Sequence, residues 1–288
     1  MVTYFISCFF IIVSAFWSQR CDAELLFDTH GMLSFAPYII GKNKTSDVIQ
    51  LSETKTQTFY PAYRAEFISH IDFFRRKNLI LTGQVGNTTV ISTTDSSLFS
   101  LNRIHYIFAP GIRYELRNFI IRSSFHHESI YSLSRSEILA RRKGPYAQNS
   151  IRLGVGSRGS YYLYLRDEYR NVNDTFLNSF DAQVNVGVFL RGSESIWTAK
   201  NNPYRYEEFS LIRYHLGVFN RWVYFASFRQ FLWKRLDSRI EQNINITLNT
   251  FKKGAENFFG IFLSYTLYDN SVEDNENKLG SLGIRVLF

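Results

Sequence analysis

LGSLGIRVLF, residues 279–288, is the stretch that decides how the rest of the chain is read. Leu282, Ile284, Val286 and Phe288 alternate with Ser281, Gly283, Arg285 and Leu287. A strand turns successive side chains to opposite faces, so this stretch has one apolar and one mixed face. The same period recurs upstream. Ile104, Tyr106, Phe108, Pro110, Ile112, Tyr114 and Leu116 share a face, against Arg103, His105, Ala109, Gly111, Arg113 and Glu115. Ile240, Gln242, Ile244, Ile246 and Leu248 oppose Arg239, Glu241, Asn243, Asn245, Thr247 and Asn249. Strands of soluble sandwiches run to about five or six residues. These segments run to about ten or more, the length a tilted strand needs to cross a bilayer.

Composition narrows the choice. The chain has 288 residues, a formal charge of +8, 45% hydrophobic and 20% charged residues. That excludes a disordered chain. Aromatic residues reach 17%, a surplus suited to a core or to the girdles of a membrane barrel. The basic residues are spread along the segments rather than gathered in a patch, which argues against nucleic acid as a partner. Residues 4–17 form an apolar run too short for a membrane helix and of the length of a signal h-region. Cys21-Asp22-Ala23 offers small residues at the −3 and −1 sites, so 1–23 reads as a signal peptide cleaved after Ala23. No Lys or Arg precedes the run, which departs from that pattern and leaves an uncleaved anchor as the other reading. Both cysteines, Cys8 and Cys21, fall inside the segment, so a mature chain 24–288 would hold together without disulfides. No later stretch approaches 18 consecutive apolar residues.

The alternation predicts strands over 32–40, 59–72, 78–90, 103–115, 118–130, 149–157, 160–170, 180–191, 194–200, 208–219, 221–233, 239–252, 257–268 and 279–288. With all fourteen, short connections such as 73–77, 116–118 and 253–256 fall at one end. Long, Asn- and Ser-rich connections such as 41–58, 91–102 and 131–148 fall at the other. Leaving out 32–40 and 194–200, the two weakest segments, gives twelve. Either count is even, and the expected fold is an all-β, transmembrane, antiparallel up-and-down barrel of fourteen or twelve strands. Residues 24–58 read either as a first strand with an external loop or as a periplasmic arm. In a closed barrel the last strand pairs with the first and no edge is left open.

Leu282, Ile284, Val286 and Phe288 resemble the C-terminal signature of Gram-negative outer-membrane β-barrel proteins. The resemblance implies bacterial origin, outer-membrane location, contact with outer-membrane lipids, and recognition by the barrel assembly machinery through this strand. It identifies no particular family.

Parity along the strands turns Arg64, Glu66, His70, Asp72, Arg113, Glu115, Arg122, His126, Glu128, Arg166, Glu168, Arg170, Arg213, His215, Arg229, Glu241 and Arg285 toward the lumen. A barrel of this size is wider than the eight-stranded kind that side chains fill. These residues therefore read as pore lining, with an anion bias from the excess of Arg, although ion pairs among them could equally plug the lumen. The first functional reading is a monomeric, porin-like passive channel for small polar solutes. It needs no cofactor or metal.

The second reading is an enzyme. In SSFHHESIYS, residues 123–132, Phe125, His127 and Ser129 share the lipid-facing side, and Asn149 opens the next strand on the same side. A His two residues before a Ser resembles the outer-membrane phospholipase and lipid A deacylase barrels, whose sites lie on the barrel exterior. The resemblance implies Ser129 as nucleophile, His127 as base and Asn149 as the group that orients the imidazole. Those enzymes follow the Ser with Asn and a nearby Gly, whereas Ile130 and Tyr131 follow here. Two other patterns carry no chemistry. His126 and His127 point to opposite faces and cannot share a metal. Residues 154–159, GVGSRG, match a dinucleotide motif, but a strand pattern follows where that motif needs a helix.

Overall fold

The computed structural model describes residues 24–40, 47–52, 55–94, 97–132, 146–157, 180–190, 204–220, 222–252, 258–270 and 278–287. They form thirteen strands: β1 (Glu24–Ile40), β2 (Asp47–Ser52), β3 (Lys55–Arg76), β4 (Leu79–Thr94), β5 (Ser97–Glu115), β6 (Phe119–Ser132), β7 (Tyr146–Ser157), β8 (Phe180–Phe189), β9 (Tyr204–Phe219), β10 (Trp222–Arg235), β11 (Ile240–Lys252), β12 (Phe258–Asp269) and β13 (Gly280–Leu287). From β3 onward each strand pairs antiparallel with the next in sequence. β1 closes the ring by pairing with β13 on one side and β3 on the other, so that Leu33 lies opposite both Val286 and Phe67. β2 pairs with the first part of β3, which runs on past the ring, Asp47 opposite Phe59. The ring is a closed barrel of twelve strands in which each strand pairs on both sides, the closure that hydrocarbon requires.

Twelve is the smaller of the two expected counts, but the membership differs. Residues 32–40 do form a ring strand, within β1. β7 pairs directly with β8, Ser150 opposite Phe189, and β8 directly with β9, Val188 opposite Tyr206. The described strands therefore close the ring by themselves, and the expected strands 160–170 and 194–200 lie outside the described residues. The connection 158–179 therefore joins β7 to β8 at the end that carries the short turns, and long connections are not confined to one end. Residues 1–23, Arg166, Glu168, Arg170 and Phe288 also lie outside the described residues.

The two faces separate as the period of two demands. In β11, Glu241, Asn243, Asn245, Thr247 and Asn249 are buried, while Ile246 and Leu248 are exposed on the outside. In β13, Leu282 and Ile284 are 45% and 49% exposed and alternate with buried Ser281 and Gly283. Tyr106, Phe108, Ile112, Tyr114, Ile151, Leu153, Val186 and Ile212 continue the same outward apolar band on other strands. Exposed apolar surface on this scale is stable only against lipid.

Closure depends on one glycine. A Cβ on Gly283 would stand 2.5 Å from the Cβ of Ala36 and 2.7 Å from the Phe262 ring, so β13 can lie between β1 and β12 only without a side chain there. Gly283→Ala is expected to destabilise the barrel by about 1–3 kcal/mol, the usual cost of overpacking. Urea unfolding in lipid vesicles would read this as a lower midpoint, and an unchanged midpoint would contradict the tight seam.

The lumen is filled at the turn end. Met32, Val223, Phe225, Phe251 and Leu287 form an apolar cluster there, with Ile68 and Val218 against it. At the same end, on β3 and β5, Arg113 bridges Asp72, at 2.7 Å, and Glu115, at 3.0 Å, and Arg75 reaches Glu115. Between these halves Asp181 accepts from Ser157 and faces His215 and Arg213. Apolar and ionic halves together make a floor. Arg113 is 3% exposed and Asp72 2%, so this pair is as buried as the apolar cluster.

Candidate functional site

Two places in the barrel gather chemistry, one on the lipid face and one in the lumen. The first is on β6 and β7. His127 and Asn149 stand directly opposite in the ladder, and Ser129 stands opposite Ala147. All four point outward, because Glu128, Gln148 and Ser150 between them line or approach the lumen. The site lies in the half of β6 nearer the loop end. His127 Nδ1 is 2.7 Å from Asn149 Oδ1. An amide oxygen only accepts, so the ring proton sits on Nδ1 and Nε2 is left as the acceptor. That is the tautomer a general base needs, and Asn149 is 4% exposed and so firmly held. Ser129 follows His127 by two positions on the same face. Ala147 on one side leaves room beside its hydroxyl, and Tyr106 stands opposite on the other. Toward the membrane middle the surface turns apolar, with Phe108 next to His127 and Ile151 beyond Asn149, each about half exposed.

Outward polar pairs occur elsewhere, Thr89 with Asn87 and Ser210 with Glu208, but neither contains a base of the imidazole kind. Of the histidines whose side chains are described, His70, His105, His126 and His215 are turned inward, and His127 alone faces out.

The second place is the lumen above the floor. A cavity of about 360 Å³ is lined by side chains from every ring strand. Arg64, Glu66, His70, Arg122, His126, Glu128, Arg213, Arg229 and Arg285 line it, as their parity requires. Asp72, Arg113 and Glu115 belong to the floor, and Glu241 lies nearer the loop end, accepting from Tyr204 and Arg235. The wall also carries an aromatic run: Phe209 against Phe231 at 4.7 Å, and Phe231 stacked on Trp233 at 5.4 Å.

The residues picked out by parity do not include a bidentate ion pair of the wall. Arg152 on β7 binds both oxygens of Glu207 on β9, each at 2.6 Å, and Ser150 donates to the same carboxylate. The two strands are not neighbours. Glu207 reaches over Gly187 of β8, where any Cβ would collide with its carboxylate. Arg152 shares the parity of Gly154 and Gly156, both buried, so its inward direction was legible. Glu207 lies just before the stretch read as a strand from 208.

No family model and no curated protein matches the chain. Among solved structures it is similar to the outer membrane phospholipase of Salmonella typhi, with a TM-score of 0.50 and 11% identity over 92% of each chain. Outer membrane phospholipase A of Escherichia coli aligns at a TM-score of 0.49 and 10% identity, over 93% of this chain and 98% of the other. The translocator domain of the autotransporter NalP from Neisseria meningitidis aligns at 0.38 and 9%, over 99% and 94%. The fold is that of bacterial outer-membrane β-barrels. At these identities the likeness concerns architecture alone. The outer-membrane barrel carries its apolar band outward and its polar side chains inward, so it belongs in the outer membrane, and its chemistry has to be argued from its own residues.

Proposed function

We propose that this outer-membrane barrel is a hydrolase of ester-linked acyl chains in membrane lipids, with Ser129 as nucleophile, His127 as base and Asn149 as the residue that orients the imidazole. The observation that carries the reading is the 2.7 Å contact between His127 and Asn149 on the lipid face. A hydrogen-bonded His–Asn pair has little structural use there, and with Ser129 two positions on along the same face it supplies the residue types that acyl transfer uses. The similarity in fold to a phospholipase barrel is compatible with it and adds no residue-level support.

The steps follow from the geometry. Ser129 Oγ attacks the ester carbonyl of a lipid whose acyl chain lies along Phe108 and Ile151, while Nε2 of His127 takes the hydroxyl proton. The tetrahedral intermediate collapses, the ester C–O bond breaks, and the alcohol leaves with the proton from Nε2. Water, deprotonated by the same nitrogen, attacks the acyl-Ser129, freeing the fatty acid and restoring the hydroxyl. Asn149 keeps Nδ1 protonated throughout. The position of the site in the loop-end half of the barrel suits the ester region of one leaflet rather than the membrane middle. The test is release of labelled fatty acid from phospholipid and from lipid A by the folded protein, beside Ser129→Ala.

A second reading, passive passage of small anions, is favoured by the excess of Arg around the lumen cavity. It requires the floor to open. Planar-bilayer recordings are expected to show no open-pore current steps for the native barrel, and to show them once Phe225 and Arg113 are both replaced by Ala. Steady steps from the native barrel would favour passage over closure.

A further inference from the structure

Aromatic rings line the lumen at two levels, and they differ in how wet they are. Toward the floor, Phe225, Phe251 and Phe262 are 1%, 2% and 6% exposed. Farther from it, Phe209, Phe231 and Trp233 line the cavity and are only partly buried. Register gathers them beside a polar pair. Phe209 stands opposite Phe231, Phe231 opposite Asn243, and Asn243 opposite Asp269, on neighbouring strands from β9 to β12. Trp233, two positions past Phe231 on β10, stacks on it within 4° of parallel. Arg229, two positions before, lies 5.5 Å from the centre of the Phe231 ring. Trp233 ends this stack: among the described residues no second ring, cation or hydrogen-bond partner meets its indole. Asn243 is 6% exposed, and its Nδ2 donates to Asp269 at 3.1 Å. A carboxylate only accepts, so the amide nitrogen is the atom turned to Asp269. Oδ1 of Asn243, a residue of the cavity wall, is left without a partner among the described residues.

A wet aromatic stack and an open, nearly buried amide oxygen side by side are unfavourable until a solute covers both. The geometry points to a binding site in the lumen for a neutral saccharide, its ring laid on the Trp233 indole and its hydroxyls on Asn243 Oδ1 and Trp233 Nε1–H. The chemistry of the two parts selects this class. One face of a pyranose is made of C–H groups and suits an aromatic surface, while its rim carries hydroxyls that both donate and accept. An indole N–H and an amide oxygen offer that rim one donor and one acceptor. The rim of the site is already fixed. Glu241, opposite Trp233, accepts from Tyr204 at 2.9 Å and from Arg235 at 2.7 Å. The floor below keeps the solute from passing through, so the cavity is a cup rather than a conduit. The site is separate from the lipid-face pair and stands or falls without it.

Isothermal titration and tryptophan emission of the full folded protein test this, in a detergent whose headgroup is not a sugar. Maltose, lactose and cellobiose are the probes, and nicotinamide is the flat aromatic control. Saturable binding of at least one disaccharide, with a shift in emission, is expected, and none of nicotinamide. Trp233→Ala and Asn243→Ala should each weaken that binding tenfold or more. Trp233→Phe keeps a stacked ring and loses the N–H, so it should bind more weakly than the native protein, more tightly than Trp233→Ala, and without the emission shift. Compact migration on unheated gels verifies that each variant is folded, and Trp233→Phe decides alone if Trp233→Ala is not. Absence of saturable heat with all three disaccharides would overturn the proposal. So would an emission shift that persists in Trp233→Phe, or nicotinamide binding as tightly as the best disaccharide.

Discussion

Ser129→Ala is expected to lower fatty-acid release from lipid vesicles about 10³- to 10⁴-fold, with the barrel still folded. His127→Ala should cost about as much, and the double variant no more than either alone, because nucleophile and base act as one unit. Asn149→Ala should cost less, roughly ten- to a hundredfold, since it acts only by holding the imidazole. The fold should tolerate all three, because polar groups near the interface end of a barrel strand contribute little to its stability. Equal release by the native protein and Ser129→Ala would remove the enzyme reading. Loss of release with Ser129→Ala but not with His127→Ala would remove the proposed base.

Arg113→Met should be the most destabilising single change in the floor, at about 3–5 kcal/mol. The reason is asymmetry. Arg113 holds both Asp72 and Glu115 in a region where it is almost fully shielded from water. Its removal leaves two carboxylates buried together, one of them with Arg75 still at 3.4 Å. Replacing the acids as well, in Asp72→Asn/Arg113→Met/Glu115→Gln, should recover much of the loss, since a buried ion network replaced as a whole can be close to neutral. Unfolding by urea in lipid vesicles measures both. A single variant as stable as the triple would mean the ionic half of the floor is hydrated and does not seal the lumen.

Much of this was legible in the sequence, and the parts that were not share a cause. Period two identified β11 and β13 because their polar and apolar positions hardly mix. It also placed His127, Ser129 and Asn149 on one face, and the β6–β7 register then set His127 and Asn149 opposite each other. The same period also predicted a ring strand at 160–170, outside the described residues, where Tyr161, Leu163 and Leu165 alternate with Tyr162, Tyr164 and Arg166. Alternation reports what a segment could do as a strand, not whether a partner is available, and β7 and β8 already pair with each other. Residues 32–40, one of the two weakest of the predicted strands, do form a strand within β1. Gly31 and Pro37 weaken the local pattern, but pairing on both sides overrides it. Pairing between charges was the least legible. Asp72 with Arg113, and Arg152 with Glu207, depend on cross-strand register and on a glycine between two strands, neither of which a single strand's pattern contains.

The most direct measurement is covalent capture. The folded barrel, incubated with a long-chain alkyl fluorophosphonate and digested for mass spectrometry, should carry one adduct on Ser129, much reduced in His127→Ala and absent after unfolding. An adduct spread over other serines, or one on Ser129 that forms equally well without His127, would contradict a nucleophile activated on the lipid face.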